Sequence, residues 1–233
     1  MTGYIFALLA AVVLPIAAMI YSSRRIKTWR PVLLGAMTFI VFQVVLRIPL
    51  LQVILPRSTD YTLFQFTQPV LFMIFLSFSA GLFEEGGRYL MMRRFMKGAP
   101  LSHGIAFGIG HGGIEAILLV GINLIAAAVT NAVGIGPATS GLFAAGGFER
   151  ISAMVFHVCL SVMIWRSLTQ QRPALLPLAI LLHTLFNVLA GYLSILGVSV
   201  FRIEAALAFV VILLLIYTIL TIRQNQPFDS SKD

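Results

Sequence analysis

Charge is what this sequence has least of. Of 233 residues, 16 are Lys or Arg and 8 are Asp or Glu, together 10% of the chain, where soluble domains carry roughly 25%; 59% are apolar. A disordered chain and an ordinary water-soluble domain are both excluded. Cysteine is nearly absent too: the lone Cys159 lies in an apolar run, so there is no disulfide scaffold, CxxC pair or cysteine metal cluster. Aspartate occurs only at Asp60, Asp229 and Asp233, outside the apolar runs, which removes paired intramembrane aspartates as chemistry. There is no HExxH helix for zinc, and the string nearest to a GxSG serine motif, Ala138-Thr139-Ser140-Gly141, lacks its first glycine and falls in a loop. A Gly-Lys-Ser/Thr phosphate loop is also missing. The net charge of +8 does not point to nucleic acid, because the basic residues sit in short segments between apolar runs instead of along one face or tail.

What is present are runs long enough to cross a bilayer, which takes ~20 apolar residues. Run length and breakers predict seven spans, at 3–21, 31–55, 68–92, 101–130, 150–165, 173–193 and 198–222. The fold expected is all-α, a polytopic membrane helix bundle forming one integral membrane domain over 1–233, with a polar, mobile tail at 224–233. The first run is followed, not preceded, by Arg24, Arg25, Lys27 and Arg30, so it reads as an anchor and not a signal peptide. With the N-terminus outside, the cytoplasmic side collects those four with Arg93, Arg94, Lys97, Arg166, Arg172, Arg223 and Lys232, against Arg57, Arg150 and Arg202 outside. This agrees with the positive-inside rule, and Trp29 and Trp165 fall at the cytoplasmic interface. An N-out, C-in protein of a bacterial cytoplasmic membrane is expected, with the lipid bilayer as its surroundings and no nucleic-acid partner. The Gly/Ala/Pro-rich stretch 131–147 reads as an external loop or re-entrant segment. Gly104, Gly108 and Gly112 recur every four residues in the fourth span, which lets another helix approach closely.

Charges at mid-bilayer cost at least ~2.5–3.5 kcal/mol each, so each asks for a reason. Here they are gathered: Glu84, Glu85 and Arg88 in the third span, His111 and Glu115 in the fourth, His157 in the fifth, His183 and Asn187 in the sixth. At ~1.5 Å per residue, His111 and His183 both lie ~15 Å from the cytoplasmic ends of their spans, Glu84 ~12 Å from the same side, and His157 ~10 Å from the external end. Glu84/Arg88, His111/Glu115 and His183/Asn187 are i,i+4 pairs, each sharing a helix face. A four-helix core over about 68–193 therefore brings polar groups to one layer. Arg47, beside Pro49, and His103, near the cytoplasmic end, read as structural.

One carboxylate, two histidines and an asparagine in a dry cavity suit hydrolysis. Glu84, under the opposed influences of burial and a nearby arginine, can serve as general base. His111 can share the water it deprotonates, and His183 with Asn187 can donate to an oxyanion.

These residues resemble the CAAX-protease and bacteriocin-processing superfamily of glutamate-type intramembrane proteases, and within it the YhfC-like branch. The resemblance rests on Phe83-Glu84-Glu85-Gly86-Gly87-Arg88, then Phe107-Gly108-Ile109-Gly110-His111, then His183-Thr184-Leu185-Phe186-Asn187. His111-Gly112-Gly113-Ile114-Glu115 and Glu149-Arg150, with His157 seven residues after the arginine, add to it. It implies an endopeptidase that cleaves a membrane protein or peptide substrate, with Glu84 and His111 activating water, His183 and Asn187 holding the oxyanion, and Glu85 and Arg88 bracing the site. Glu115, one turn from His111, would orient that histidine; the part of His157 stays open. The main CAAX-protease branch has three residues between its Glu pair and the Arg, whereas this chain has two, Gly86 and Gly87, which turns Arg88 by ~100° on the helix. A metal-free site is favoured, and the alternative is zinc held by Glu84, His111 and His183 with an open position for water. Two other functions compete. An ion-coupled transporter also uses buried Glu/His/Arg groups, but would show matching halves. A non-catalytic scaffold of the same superfamily would not need the complete Glu/His/His/Asn set. Nothing in the sequence specifies an oligomeric state.

Overall fold

In a computed structural model, residues 1–130 and 137–224 are described, and every regular element among them is helical. Eight helices follow in chain order: α1 (Thr2–Arg25), α2 (Arg30–Arg57), α3 (Thr59–Thr67), α4 (Pro69–Phe95), α5 (Leu101–Val129), α6 (Pro137–Thr169), α7 (Leu175–Ile195) and α8 (Val200–Gln224). All but the short α3 are long and apolar enough to span a bilayer, giving the seven expected spans. The protein is an integral membrane helix bundle. Arg24/Arg25, Arg93/Arg94, Arg166 and Arg223 stand in the last turns of α1, α4, α6 and α8, the first, third, fifth and seventh spans. Cations there complement the negative end of each helix dipole, so one end of the bundle is basic. The segment 131–136 and the tail 225–233 lie outside the described residues, together with the loop and mobile tail expected there.

α6 is the central helix. It packs against α1, α4, α5, α7 and α8, and 72% of its most apolar window is buried, against 17–39% for the other spans. It also starts earlier than its expected start at 150, because residues up to Gly147 continue the helix. Glycine is a poor helix former in isolation, but here the small residues let α1 come close: Gly147 backs onto Ala7, and the Gly3 N–H donates to Ser140 Oγ at 3.1 Å. Tertiary packing decides the matter.

The glycine repeat of α5 faces α6 along its length. A Cβ at Gly108 would fall 2.6 Å from Val158 Cα, and Gly104 and Gly112 abut Trp165 and Met154. This seats α5 against α6 and brings the His111 and His157 rings to 4.9 Å between centroids. Below it, towards the basic end, the apolar core gathers Met92, Phe107, Phe156, Leu160 and Ile164. Three spans contain turns of wider, π-helical hydrogen bonding. In α2 these turns cover Ile40–Arg47 and Leu50–Ile54, on either side of Pro49, whose missing N–H and ring prevent the regular ladder.

Gly108→Ala should therefore destabilise the protein by about 1–3 kcal/mol, the usual cost of overpacking, because backbone on α6 must move. Gly86→Ala is the control, since a Cβ there meets nothing within 4 Å. Thermal unfolding in detergent should show a lowered midpoint for the first and none for the second.

Candidate active site

Four helices bring their polar groups to one layer. α4 contributes Glu84, Glu85 and Arg88; α5 His111 and Glu115; α6 Glu149, Arg150 and His157; α7 His183 and Asn187. Glu84, Glu85, Arg88, His111, His157 and His183 are all buried. A cavity of about 310 Å³ opens among them, walled by Glu84, Glu115, Glu149, Arg150, His157, His183 and Asn187, with Gln43 and Arg47 of α2 on another side. His111 is not part of the wall. It is fully buried, hydrogen-bonded to the wall residue Glu84 and packed edge-on to Phe39 with centroids 5.5 Å apart.

Two linked clusters make up the site. In the first, His111 Nε2 meets Glu84 Oε2 at 3.1 Å, His157 Nε2 lies 2.5 Å from Glu115 Oε2, and Arg150 Nη1 donates to Glu115 Oε1 at 3.2 Å while also pairing with Glu149. In the second, Arg88 Nη1 donates to both Glu85 oxygens (2.8 and 2.6 Å). Its Nη2 reaches His157 Nδ1 at 3.0 Å, and His183 Nδ1 lies 2.9 Å from Glu85 Oε1. His157 belongs to both clusters, one ring nitrogen in each.

Donor chemistry then fixes tautomers. A guanidinium only donates, so His157 Nδ1 accepts and the neutral ring carries its proton on Nε2. A carboxylate held by Arg88 only accepts, so His183 donates from Nδ1 and offers Nε2 as a lone pair while neutral, and as a donor only when the ring is imidazolium. Asn187 lines the cavity, and its amide makes no hydrogen bond among the described residues.

A metal can be tested against the same geometry. Glu84, His111, Glu115 and His157 each offer one ligand atom, all within 4.8 Å of one another, and the group is buried. Among the described residues Glu115 Oε2 and His111 Nδ1 are buried without a hydrogen bond of ordinary geometry, the former beside His157 Nε2. Carboxylates and imidazoles at this separation are a donor set that suits zinc, so the residues fit a divalent ion. Since Arg88 occupies His157 Nδ1, the donors best free to bind are Glu84, His111 and Glu115. Of the trio expected from sequence, Glu84 and His111 are in this group, and His183 instead groups with Glu85 and His157.

Every sequence-expected site residue thus reaches the layer. Arg88 partners Glu85 and not Glu84. Arg150, Glu149, Gln43 and Arg47 are the residues that sequence reasoning left out of the site. The seven-residue step from Arg150 to His157, two helical turns on one face, was the available signal for the first pair.

Comparison with known proteins follows the same line. The model of the YhfC intramembrane metalloprotease family matches residues 10–139 and 137–203. The membrane protein YhfC of Bacillus subtilis (strain 168), itself uncharacterized, is 35% identical over 205 residues, which cover 76% of this chain and 79% of that one. No solved structure matches.

Removing the Arg88 guanidinium strands a fully buried carboxylate, so Arg88→Ala should cost about 3–5 kcal/mol in an unfolding titration. The double variant Glu85→Leu/Arg88→Met should recover most of that loss, because an apolar pair replaces an ion pair without leaving a charge behind.

Proposed function

Because the chain belongs to the YhfC intramembrane metalloprotease family, we propose that it is an endopeptidase hydrolysing a peptide bond of a membrane-associated substrate within the cavity bounded by α2, α4, α5, α6 and α7. The observation that carries this reading is the convergence of Glu84, His111, Glu115 and His157, buried and with ligand atoms within 4.8 Å of one another, three of them on the wall of a polar cavity inside a membrane bundle and His111 directly behind Glu84.

Glu84 is the general base: its carboxylate faces the cavity and is partnered by an imidazole, which holds it while leaving it able to take a proton from water. His111 orients that carboxylate. Glu115 is held from two sides, by Arg150 and His157. Were a divalent ion held by Glu84, His111 and Glu115, Glu84 would be its ligand in place of acting as base, and the ion would supply Lewis-acid polarisation of the scissile carbonyl and acidify the attacking water. The Asn187 amide suits the oxyanion role, and His183, when imidazolium, is a further donor to it. Glu85 and Arg88 fix the two histidines from behind. The basic end of the bundle then faces the cytoplasm, in accord with the positive-inside rule.

Glu84→Gln keeps the shape and loses the base. Purified in detergent, this variant should fold with an unchanged melting midpoint and release no product from a quenched-fluorescence reporter polypeptide carrying a transmembrane segment. Asn187→Ala should retain cleavage at a rate lower by ~10²–10³, the loss typical of one oxyanion donor. Protein purified without chelator should carry about one equivalent of divalent metal, and chelation should remove metal and cleavage together. A folded Glu84→Gln protein that cleaves like the parent would refute the assignment.

A further inference from the structure

Three arginines stand within the membrane-spanning part of the site, and two of them are answered by carboxylates: Arg88 by Glu85, and Arg150 by Glu115 and Glu149. The third is not. Arg47, ~15 Å inside the end of α2 by helical rise, has only neutral partners: Nε donates to Ser79 Oγ at 3.0 Å, Nη1 to Gln43 Oε1 at 3.1 Å and Nη2 to Leu76 O at 2.7 Å. Among the described residues no carboxylate lies within ion-pair distance of it. A guanidinium has five N–H groups, so one on each terminal nitrogen is uncommitted.

The position of these spare donors is informative. Arg47 is a wall residue of the catalytic cavity, and it also walls a second cavity of about 410 Å³ lined by Ile48, Leu51, Tyr61, Phe72 and Leu76. Arg47 and Leu76 are common to both, so the guanidinium stands where a chamber that is largely apolar, with Gln52 and Gln65 also on its wall, meets the reacting groups. It is held there in advance. The π-helical turn Ile40–Arg47 sets Gln43 and Arg47 on one side of α2, and Ser79 and the Leu76 carbonyl fix the guanidinium from α4. A cation kept unpaired in hydrocarbon is costly and marks a ligand pathway when it faces a cavity. The partner that removes that cost is an anion, and guanidinium donors suit a carboxylate in particular.

We propose that Arg47 is the substrate-recognition residue of this protein, taking a carboxylate of the bound peptide while the adjoining apolar cavity takes the residues beside it. The carboxylate is either an acidic side chain or a chain terminus. The inference rests on the protease reading only in calling the peptide a substrate, and the test reads binding separately from turnover.

Fluorescein-labelled apolar peptides in detergent are the probes, made as two matched pairs: one interior Glu against Gln, and one free C-terminal carboxylate against the amide. Anisotropy titrations use the parent protein and the Glu84→Gln variant, so that binding is read whether or not cleavage occurs. One acid peptide should bind on the order of ten-fold more tightly than its amide partner, and the pair that responds identifies the source of the carboxylate. Arg47→Lys should keep a reduced preference, because a point charge replaces the fork. Arg47→Gln should abolish the preference with the amide peptide bound as before. Equal binding of acid and amide peptides by the parent overturns the proposal, and so does an Arg47→Gln protein that loses affinity for both by the same factor. Should Arg47→Gln fail to fold, the parent comparison and Arg47→Lys decide the question by themselves. Carboxylate preference without any cleavage would leave the inference standing and remove the protease reading.

Discussion

The arrangement of the site depends on the Arg88–Glu85 ion pair. It is fully buried, and each half of it reaches beyond α4: Glu85 takes His183 of α7, and Arg88 takes His157 of α6. Through the other nitrogen of His157 the contact passes to Glu115 on α5. Four helices are thereby registered by two adjacent side chains. In hydrocarbon this is more than an attraction, because the alternative to being paired is an uncompensated charge, and the helices are held to rotations in which all of these groups meet.

Such registration is possible only because the backbones come close. The α5 glycines let α6 approach until the two imidazoles stand 4.9 Å apart, and Gly81 brings α4 against the Ile180 carbonyl of α7, one turn from His183. Side chains at these positions would separate the helices and leave polar atoms facing each other across a gap. Packing and electrostatics are thus one constraint. The carboxylates of Glu85, Glu115 and Glu149 pair with the guanidiniums of Arg88 and Arg150, and Glu84 pairs with the His111 imidazole.

Much of this was legible in the sequence, and what was hidden has a common cause. Run lengths give the seven spans, and counting along them gives the shared depth of Glu84, His111 and His183. Counting gives height, but it gives no azimuth. Which carboxylate Arg88 meets, that His157 lies between two clusters, and that Glu115 accompanies Glu84 and His111 more closely than His183 does, are all matters of helix rotation set by tertiary contacts. Arg47 was readable as an intramembrane charge, yet its place in a cavity wall follows from the π-helical turn before Pro49 and from α4 packing beside it. The helical run of residues 137–149 was missed for the opposite reason: its Gly/Ala-rich composition says loop when read alone and close contact when α1 lies against it.

The shortened spacing between the glutamate pair and the arginine is the point at which these levels meet. Glu84 and Glu85 are neighbours in sequence, and successive residues leave a helix ~100° apart, so the two carboxylates serve different directions. With only Gly86 and Gly87 intervening, Arg88 stands three residues from Glu85 and takes both of its oxygens. Glu84 is left with an imidazole instead of a guanidinium. A guanidinium cannot give up a proton in a protein, whereas an imidazole can exchange one. A carboxylate tied to Arg88 would be a fixed anion, while one tied to His111 stays in a proton-exchanging pair at the cavity wall. Arg88 is within one turn of both glutamates, so it is the packing of α4 against α6 and α7 that selects Glu85, and this selection divides two adjacent glutamates into a structural anion and a group left beside an imidazole.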